Sequence, residues 1–221
     1  MKRAIVESRP FLLLSLLLAI SYFFVMDSNV PGLFLIFWKG AGVAFLAIYA
    51  WRRVASADGR MIAAVMAFGA LGDMLIEIDL IAGAVAFLVG HVIAIALYAR
   101  HRREQTVFSQ KLLAILLVPV TVFIAWSLPF DRAEAPGFAA YTLFLAIMAA
   151  MAWTSSFPRY RVGAGALLFV LSDLLIFSRS GFLQDSVIPA WTVWPLYYVG
   201  QFMIVTGIVR TLRAKAHIYN P

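Results

Sequence analysis

The sequence predicts an all-α integral membrane protein of eight transmembrane helices, and three observations carry that prediction. Of the 221 residues 63% are hydrophobic, with a mean hydropathy of +0.91, where soluble domains hold roughly 45–50% apolar residues. The apolar residues fall into eight runs, 10–27, 32–51, 61–78, 80–99, 110–128, 136–153, 161–179 and 188–210, each near the ~20 residues that a helix needs to cross a bilayer core. The basic residues alternate in sidedness. Lys2, Arg3 and Arg9, then Arg52, Arg53 and Arg60, then Arg100, Arg102, Arg103 and Lys111, then Arg159 and Arg161, then Arg210, Arg213 and Lys215 make up 15 of the 18 Lys and Arg on one side. Arg132 and Arg179 fall on the other. The positive-inside rule puts the larger group, and both termini, in the cytoplasm. Topology thus accounts for the formal charge of +7, and no nucleic-acid partner is expected.

Taken in order, helix 1 follows Lys2, Arg3 and Arg9 with "FLLLSLLLAISYFFV". That is the pattern of a signal peptide, but without a small-x-small cleavage site it reads as a retained span. Helix 2 carries Lys39, and helix 3 carries Asp73 and, near its outer end, Glu77. Asp79 is placed to cap helix 4, which holds His91. Helix 7 contains Asp173 and ends near Arg179, an interfacial anchor, while helix 8 contributes Tyr197, Tyr198 and Gln201. The six tryptophans lie mostly near helix ends, where an interfacial aromatic belt is expected. With no cysteine in the chain, disulfides and thiol chemistry are excluded.

The halves repeat. "GDMLI" at 72–76 returns as "SDLLI" at 172–176, "FLVGHVIAI" at 87–95 as "YYVGQFMIV" at 197–205, and "FLAI" at 45–48 again at 144–147. All three matches pair helix n with helix n + 4, so the chain reads as a single transmembrane domain, 1–221, built by a four-plus-four tandem duplication with halves 10–99 and 110–212. An even number of spans makes the halves parallel, related by an axis along the membrane normal. That axis sets Asp73 against Asp173, while His91 corresponds to Gln201 and Lys39 to Phe138.

An ionisable group at the centre of a span costs roughly 2.5–3.5 kcal/mol on insertion scales, so Lys39, Asp73, His91 and Asp173 are candidates for function, together with Tyr197, Tyr198 and Gln201. At about 1.5 Å per residue, Lys39, Asp73 and Asp173 share a level about 8–10 Å below the outer boundary, with His91 and Tyr197 deeper and Gln201 one turn further in. A polar pocket open to the extracytoplasmic side follows, with Glu77 either at its mouth or a solvated rim carboxylate. Two aspartates facing each other in a low-dielectric interior cannot both ionise, so one keeps its proton. The pair then offers a general acid and a carboxylate, the equipment for acid-assisted hydrolysis. A metal site made of Asp73, His91 and Asp173 is the weaker reading, so no metal or cofactor is expected. There is no nucleophile elbow and no Gly-rich phosphate loop.

At these residues the chain resembles the lysoplasmalogenase family, the YhhN-like membrane proteins, over about residues 35–210. The resemblance rests on the Lys39 region, Gly72 and Asp73, "FLVGH" ending at His91, "GALLFVLSD" ending at Asp173 and "YYVGQ" ending at Gln201, five segments in the family's order. It implies hydrolysis of the vinyl ether bond of a lysoplasmalogen, releasing a fatty aldehyde and a glycerophospho-headgroup. Asp73 and Asp173 would be the acid/base pair; His91, Tyr197 and Gln201 would position water or the glycerol hydroxyl, with Tyr198 beside them. Lys39 would tune the pair or meet the headgroup phosphate. The expected partners are a lysophospholipid and membrane lipids, and the expected location is a bacterial inner membrane. The chain departs from the family in having Gly40 after the lysine and "LLIFSRSGF" after Asp173, both beside the acid pair. A proton-coupled transporter uses similar intramembrane residues; transport in proteoliposomes without change in added lysolipid would distinguish it. A structural membrane protein would lose stability and no activity on loss of Asp73. An intramembrane aspartyl protease is distant, because its accompanying motifs are missing.

Overall fold

The structure, a computed structural model, describes residues 2–219, with side chains from 10 to 216; the side chains of Lys2, Arg3, Arg9 and His217 lie outside the described residues. Eight long helices follow one another: α1 (Lys2–Val25), α2 (Gly32–Arg53), α3 (Ala57–Leu75), α4 (Leu80–Arg100), α5 (Phe108–Ser127), α6 (Ala135–Thr154), α7 (Ala164–Phe177) and α8 (Val187–Tyr219). A π-helical turn, Arg159–Gly163, leads into α7, and a 3-10 turn, Ser178–Ser180, follows it. No strand occurs among the described residues; the extended pairings are single bridges, Arg102 with Ser155 and Pro129 with Gly181.

Six segments are long and apolar enough to cross a membrane: Gly32–Arg53, Leu80–Arg100, Phe108–Ser127, Ala135–Thr154, Arg159–Ser180 and Val187–Ala216. The described apolar part of α1, Pro10–Val25, is shorter. α3 carries Asp58, Arg60 and Asp73 within its 19 residues, the charge load that sets it apart from the other six. The last helix outruns its apolar run by far. α8 continues past residue 210 to Tyr219 because Leu, Arg, Ala and Lys are good helix formers whether or not they are apolar.

The chain forms two compact units. The first comprises Met1–Leu97 with Ile208–Pro221. Its core is made by Val43, Leu46 and Ala50 of α2, Ile62 and Met66 of α3, and Leu97 of α4, all buried. α1 is fastened to α2 by two polar contacts: Ser15 Oγ donates to the Gly42 carbonyl at 2.6 Å, and Trp38 Nε1 donates to Ser21 Oγ at 3.0 Å. Such bonds matter in hydrocarbon, where helix association has little hydrophobic drive. Asp79 Oδ1 accepts the Ala82 N–H at 2.7 Å, so it caps α4 as its position in the sequence predicts.

The second unit comprises Tyr98–Gly207. Leu145, Ala146 and Ala149 of α6, Val162, Ala166 of α7 and Val205 of α8 are buried there. Ala125, Phe138 and Phe177 form a second cluster, with the Phe138 and Phe177 rings stacked at 4.3 Å. α5 leaves Ile115, Leu116, Val120 and Phe123 exposed, an apolar surface of the kind that suits lipid. The Thr121 hydroxyl donates to the Leu117 carbonyl two residues past Pro119, a local adjustment near the place where proline cannot supply its own N–H. The loop after α4 is bound to the loop after α6: Ser156 N–H donates to the His101 carbonyl at 2.7 Å, and Arg103 donates to the Ser155 and Phe157 carbonyls at 3.1 and 3.2 Å.

Candidate active site

The polar residues singled out in the sequence occupy two groups, one in each unit. In the first unit Lys39 Nζ and Glu77 Oε1 form an ion pair at 2.5 Å, joining α2 to the turn after α3. Lys39 is largely covered, at 17% side-chain exposure, whereas Glu77 is at 42%. Glu77 is therefore a rim carboxylate that is engaged by the lysine. The approach of α2 to α3 is set next door, at Gly40, where a Cβ would lie 2.9 Å from the Ala70 carbonyl and closer still to Met74. A bare backbone at this position lets Lys39 reach across.

One turn before Glu77, Asp73 is buried, at 2% exposure. The i, i+4 spacing puts both carboxylates on one face of the helix, but α3 ends at Leu75, so Asp73 stays inside while Glu77 emerges. Gly72 is covered by the Phe87 ring of α4, against which a Cβ would stand at 2.7 Å. His91, one turn after Phe87, is also buried, at 3%. Tyr22 of α1 is buried as well.

In the second unit Asp173 of α7 is buried at 5% exposure, and its Oδ2 accepts the phenolic hydroxyl of Tyr141 from α6 at 2.7 Å. The Tyr141 ring is braced edge-on by Phe177, centroids 5.7 Å apart at 90°, one turn beyond the aspartate. Ser172, fully buried, donates to the Val193 carbonyl of α8 at 3.0 Å. One turn before Asp173, Phe169 meets Tyr197 edge-on at 5.1 Å, which puts Tyr197 along the same side of α7. Gln201, 2% exposed, follows Tyr197 by one turn. Tyr198 stacks on Trp194 at 6.0 Å, so its ring packs inside the helix pair. Trp194 is itself buried at 6%, which removes it from the interfacial belt: near a helix end in sequence, it faces inward.

α7 and α8 meet backbone to backbone. A Cβ on Gly165 would lie 2.7 Å from the Gly200 carbonyl, and one on Gly200 2.6 Å from the Gly165 carbonyl. Both positions must lack a side chain, in the manner of small-residue crossings in membranes, and the contact sets the spacing of the helices that carry Asp173, Tyr197 and Gln201.

Sequence reasoning missed Tyr141 and Ser172. A tyrosine in an apolar helix gives no sign of its partner until the rotation of that helix is known; for Ser172, its place beside Asp173 in the repeated motif was the available signal. Among the described residues no three His, Asp or Glu side chains are grouped so as to hold a metal ion. The two buried carboxylates can hold or release protons away from water, and Lys39 supplies a positive charge with a partly exposed partner.

No curated protein and no solved structure matches the chain. The YhhN family model matches residues 34–208, a stretch that takes in every site residue singled out in the sequence. By that match the chain belongs to the YhhN family.

Proposed function

We propose that this protein is an intramembrane hydrolase of the bacterial inner membrane that cleaves the vinyl ether bond of lysoplasmalogens by aspartate acid/base catalysis. One observation carries the reading: a buried carboxylate occupies the same place in each of the two repeated motifs, Asp73 in α3 and Asp173 in α7. Family membership supports it, because YhhN-like proteins include lysoplasmalogenases.

An enol ether is basic at the vinyl carbon β to oxygen. A neutral carboxylic acid donates its proton there, and the oxygen lone pair delocalises to give an oxocarbenium ion. The ionised carboxylate stabilises that cation and takes a proton from the water that adds to the α carbon. The resulting hemiacetal transfers its hydroxyl proton to the ether oxygen as the C–O bond breaks. Fatty aldehyde and glycerophospho-alcohol leave, and the net reaction consumes one water. In this reading Asp73 and Asp173 take these two roles. Tyr141 holds one Asp173 oxygen in place, leaving the other for reaction. Lys39 is the group suited to a headgroup phosphate, and His91, Tyr197 and Gln201 are suited to positioning water and glycerol.

Incubating purified protein in detergent with choline and ethanolamine lysoplasmalogens, and measuring aldehyde release, tests the reading. Wild type should release aldehyde, and Asp73→Asn and Asp173→Asn should each be nearly inactive. Full activity in both variants would remove the acid-pair mechanism, and no aldehyde from wild type with either lipid would remove the substrate.

A further inference from the structure

The corner between α6 and α7, which the proposed reaction does not use, holds two hydrogen-bond donors with nothing to donate to. Trp153 Nε1 and Arg159 Nη2 are both buried and, among the described residues, both without a partner. Such donors are rare in folded proteins, because each forfeits its hydration without a replacement. They also belong to one construction. Arg159 Nε donates to the Trp153 carbonyl at 3.2 Å, and its guanidinium lies 5.7 Å from the indole centroid. Tyr160 meets the same indole edge-on at 6.2 Å. On the far side Gly163 leaves the space the indole occupies, since a Cβ there would stand 2.9 Å from Trp153 Cε3. The π-helical turn Arg159–Gly163 makes this arrangement, and such turns recur where function requires an irregular helix.

The electrostatics point one way. Arg159 and the exposed Arg161 both lie in this turn, and the chain has no carboxylate between Glu134 and Asp173. Neither α6 nor the π turn nor the start of α7 can therefore supply an anionic acceptor. Tyr160 projects outward at 81% exposure. A tyrosine at a helix end, an indole N–H and a guanidinium fork together match the headgroup layer of a membrane, where arginine binds phosphate oxygens with two donors at once.

We propose that this corner binds a phosphate oxyanion, carried by a phospholipid headgroup at the membrane surface and held by Arg159 and Trp153 Nε1. The bound oxyanion satisfies both orphaned donors, Arg161 adds charge, and Tyr160 lies beside the glycerol region. The basic loops of the sequence put this corner on the cytoplasmic side, away from the proposed reaction, where anionic lipids gather.

The test is lipid retention by native mass spectrometry of the full chain released from detergent, comparing phosphatidylglycerol with diacylglycerol, which has the same chains and no phosphate. Trp153→Phe keeps a ring against Gly163 and removes only the N–H, so it decides the matter even if Arg159→Gln fails to fold. Wild type should retain phosphatidylglycerol over diacylglycerol, and Trp153→Phe should weaken that retention roughly tenfold, the effect of one lost hydrogen bond to a charged group. Equal retention by wild type and Trp153→Phe would overturn the proposal, as it would mean that the indole N–H does not contact the bound headgroup. Retention of diacylglycerol equal to that of phosphatidylglycerol would overturn it too. If inorganic phosphate binds the lipid-free protein as tightly as the lipid does, the occupant is free phosphate and the headgroup assignment fails.

Discussion

Replacing Tyr141 by phenylalanine removes one oxygen atom from the second unit and deprives Asp173 of its phenolic donor. The bond is short, 2.7 Å, and its acceptor is 5% exposed, so water does not readily take the place of the lost hydroxyl. With Asp173 ionised, a hydrogen bond of this kind contributes about 1.5–3 kcal/mol. For a chain of this size that corresponds to a Tm change of roughly 3–12 °C, at about 2–4 °C per kcal/mol. The total change on Tyr141→Phe includes other terms, so the quantity to measure is the coupling. Thermal unfolding in one detergent would be followed for wild type, Tyr141→Phe, Asp173→Leu and the double variant, since leucine has a similar bulk and no acceptor. The interaction energy should be at least about 1 kcal/mol, because groups in direct contact are non-additive. In the activity assay Tyr141→Phe should lose roughly tenfold in kcat with a smaller change in KM, the pattern of a group that holds a catalytic carboxylate in place. Additive Tm changes within about 0.3 kcal/mol would refute the reasoning, as the phenol would then not be bonded to the aspartate in the folded protein.

Other outcomes follow from the same geometry. Gly200→Ala forces a methyl group to within 2.6 Å of the Gly165 carbonyl and should cost about 1–3 kcal/mol through strained packing, read as a lowered Tm. Gly137→Ala, where a Cβ meets nothing within 4 Å, should leave Tm unchanged or raise it slightly, about 0.5–1 kcal/mol in favour of alanine; a loss equal to that of Gly200→Ala would contradict the packing described. Glu77→Gln removes the partner of Lys39, but the pair is part-exposed, so the stability change should stay within about 0.2–1 kcal/mol and shrink in high salt. Asp79→Ala removes the cap of α4 and should cost about 1 kcal/mol, with Asp79→Asn recovering most of it.

The helices were legible because hydrocarbon tolerates few alternatives: a run of apolar residues between charged turns must satisfy its backbone internally. Residues 80–99 and 110–128 could hardly be anything else. The charged ends were harder, since the continuation of α8 to Tyr219 rests on helix propensity and not on hydropathy. Asp73, His91, Asp173 and Gln201 stood out in the sequence and are buried in the structure, because a polar residue in an apolar run is conspicuous. What the sequence could not give is pairing. Lys39 had several carboxylates within its own half to choose from, and the selection of Glu77 depends on where α3 stops and on the absence of a side chain at Gly40. Tyr141 looked like any aromatic in a span until α6 was rotated against α7. The tryptophans show the same limit, as Trp194 and the buried N–H of Trp153 depart from a belt that Trp51, Trp126 and Trp191, all well exposed, fit.

The crossing of α7 and α8 at Gly165 and Gly200 has a consequence for how the protein tolerates change. Where two main chains touch directly, the gap between them is fixed by peptide groups that every sequence shares. Mutational drift among the surrounding leucines and valines can change the packing around this crossing without moving Asp173 relative to Tyr197 and Gln201. Under the proposed function, a change in apolar-chain preference should therefore come from those neighbours and leave the proposed reacting groups in the same alignment.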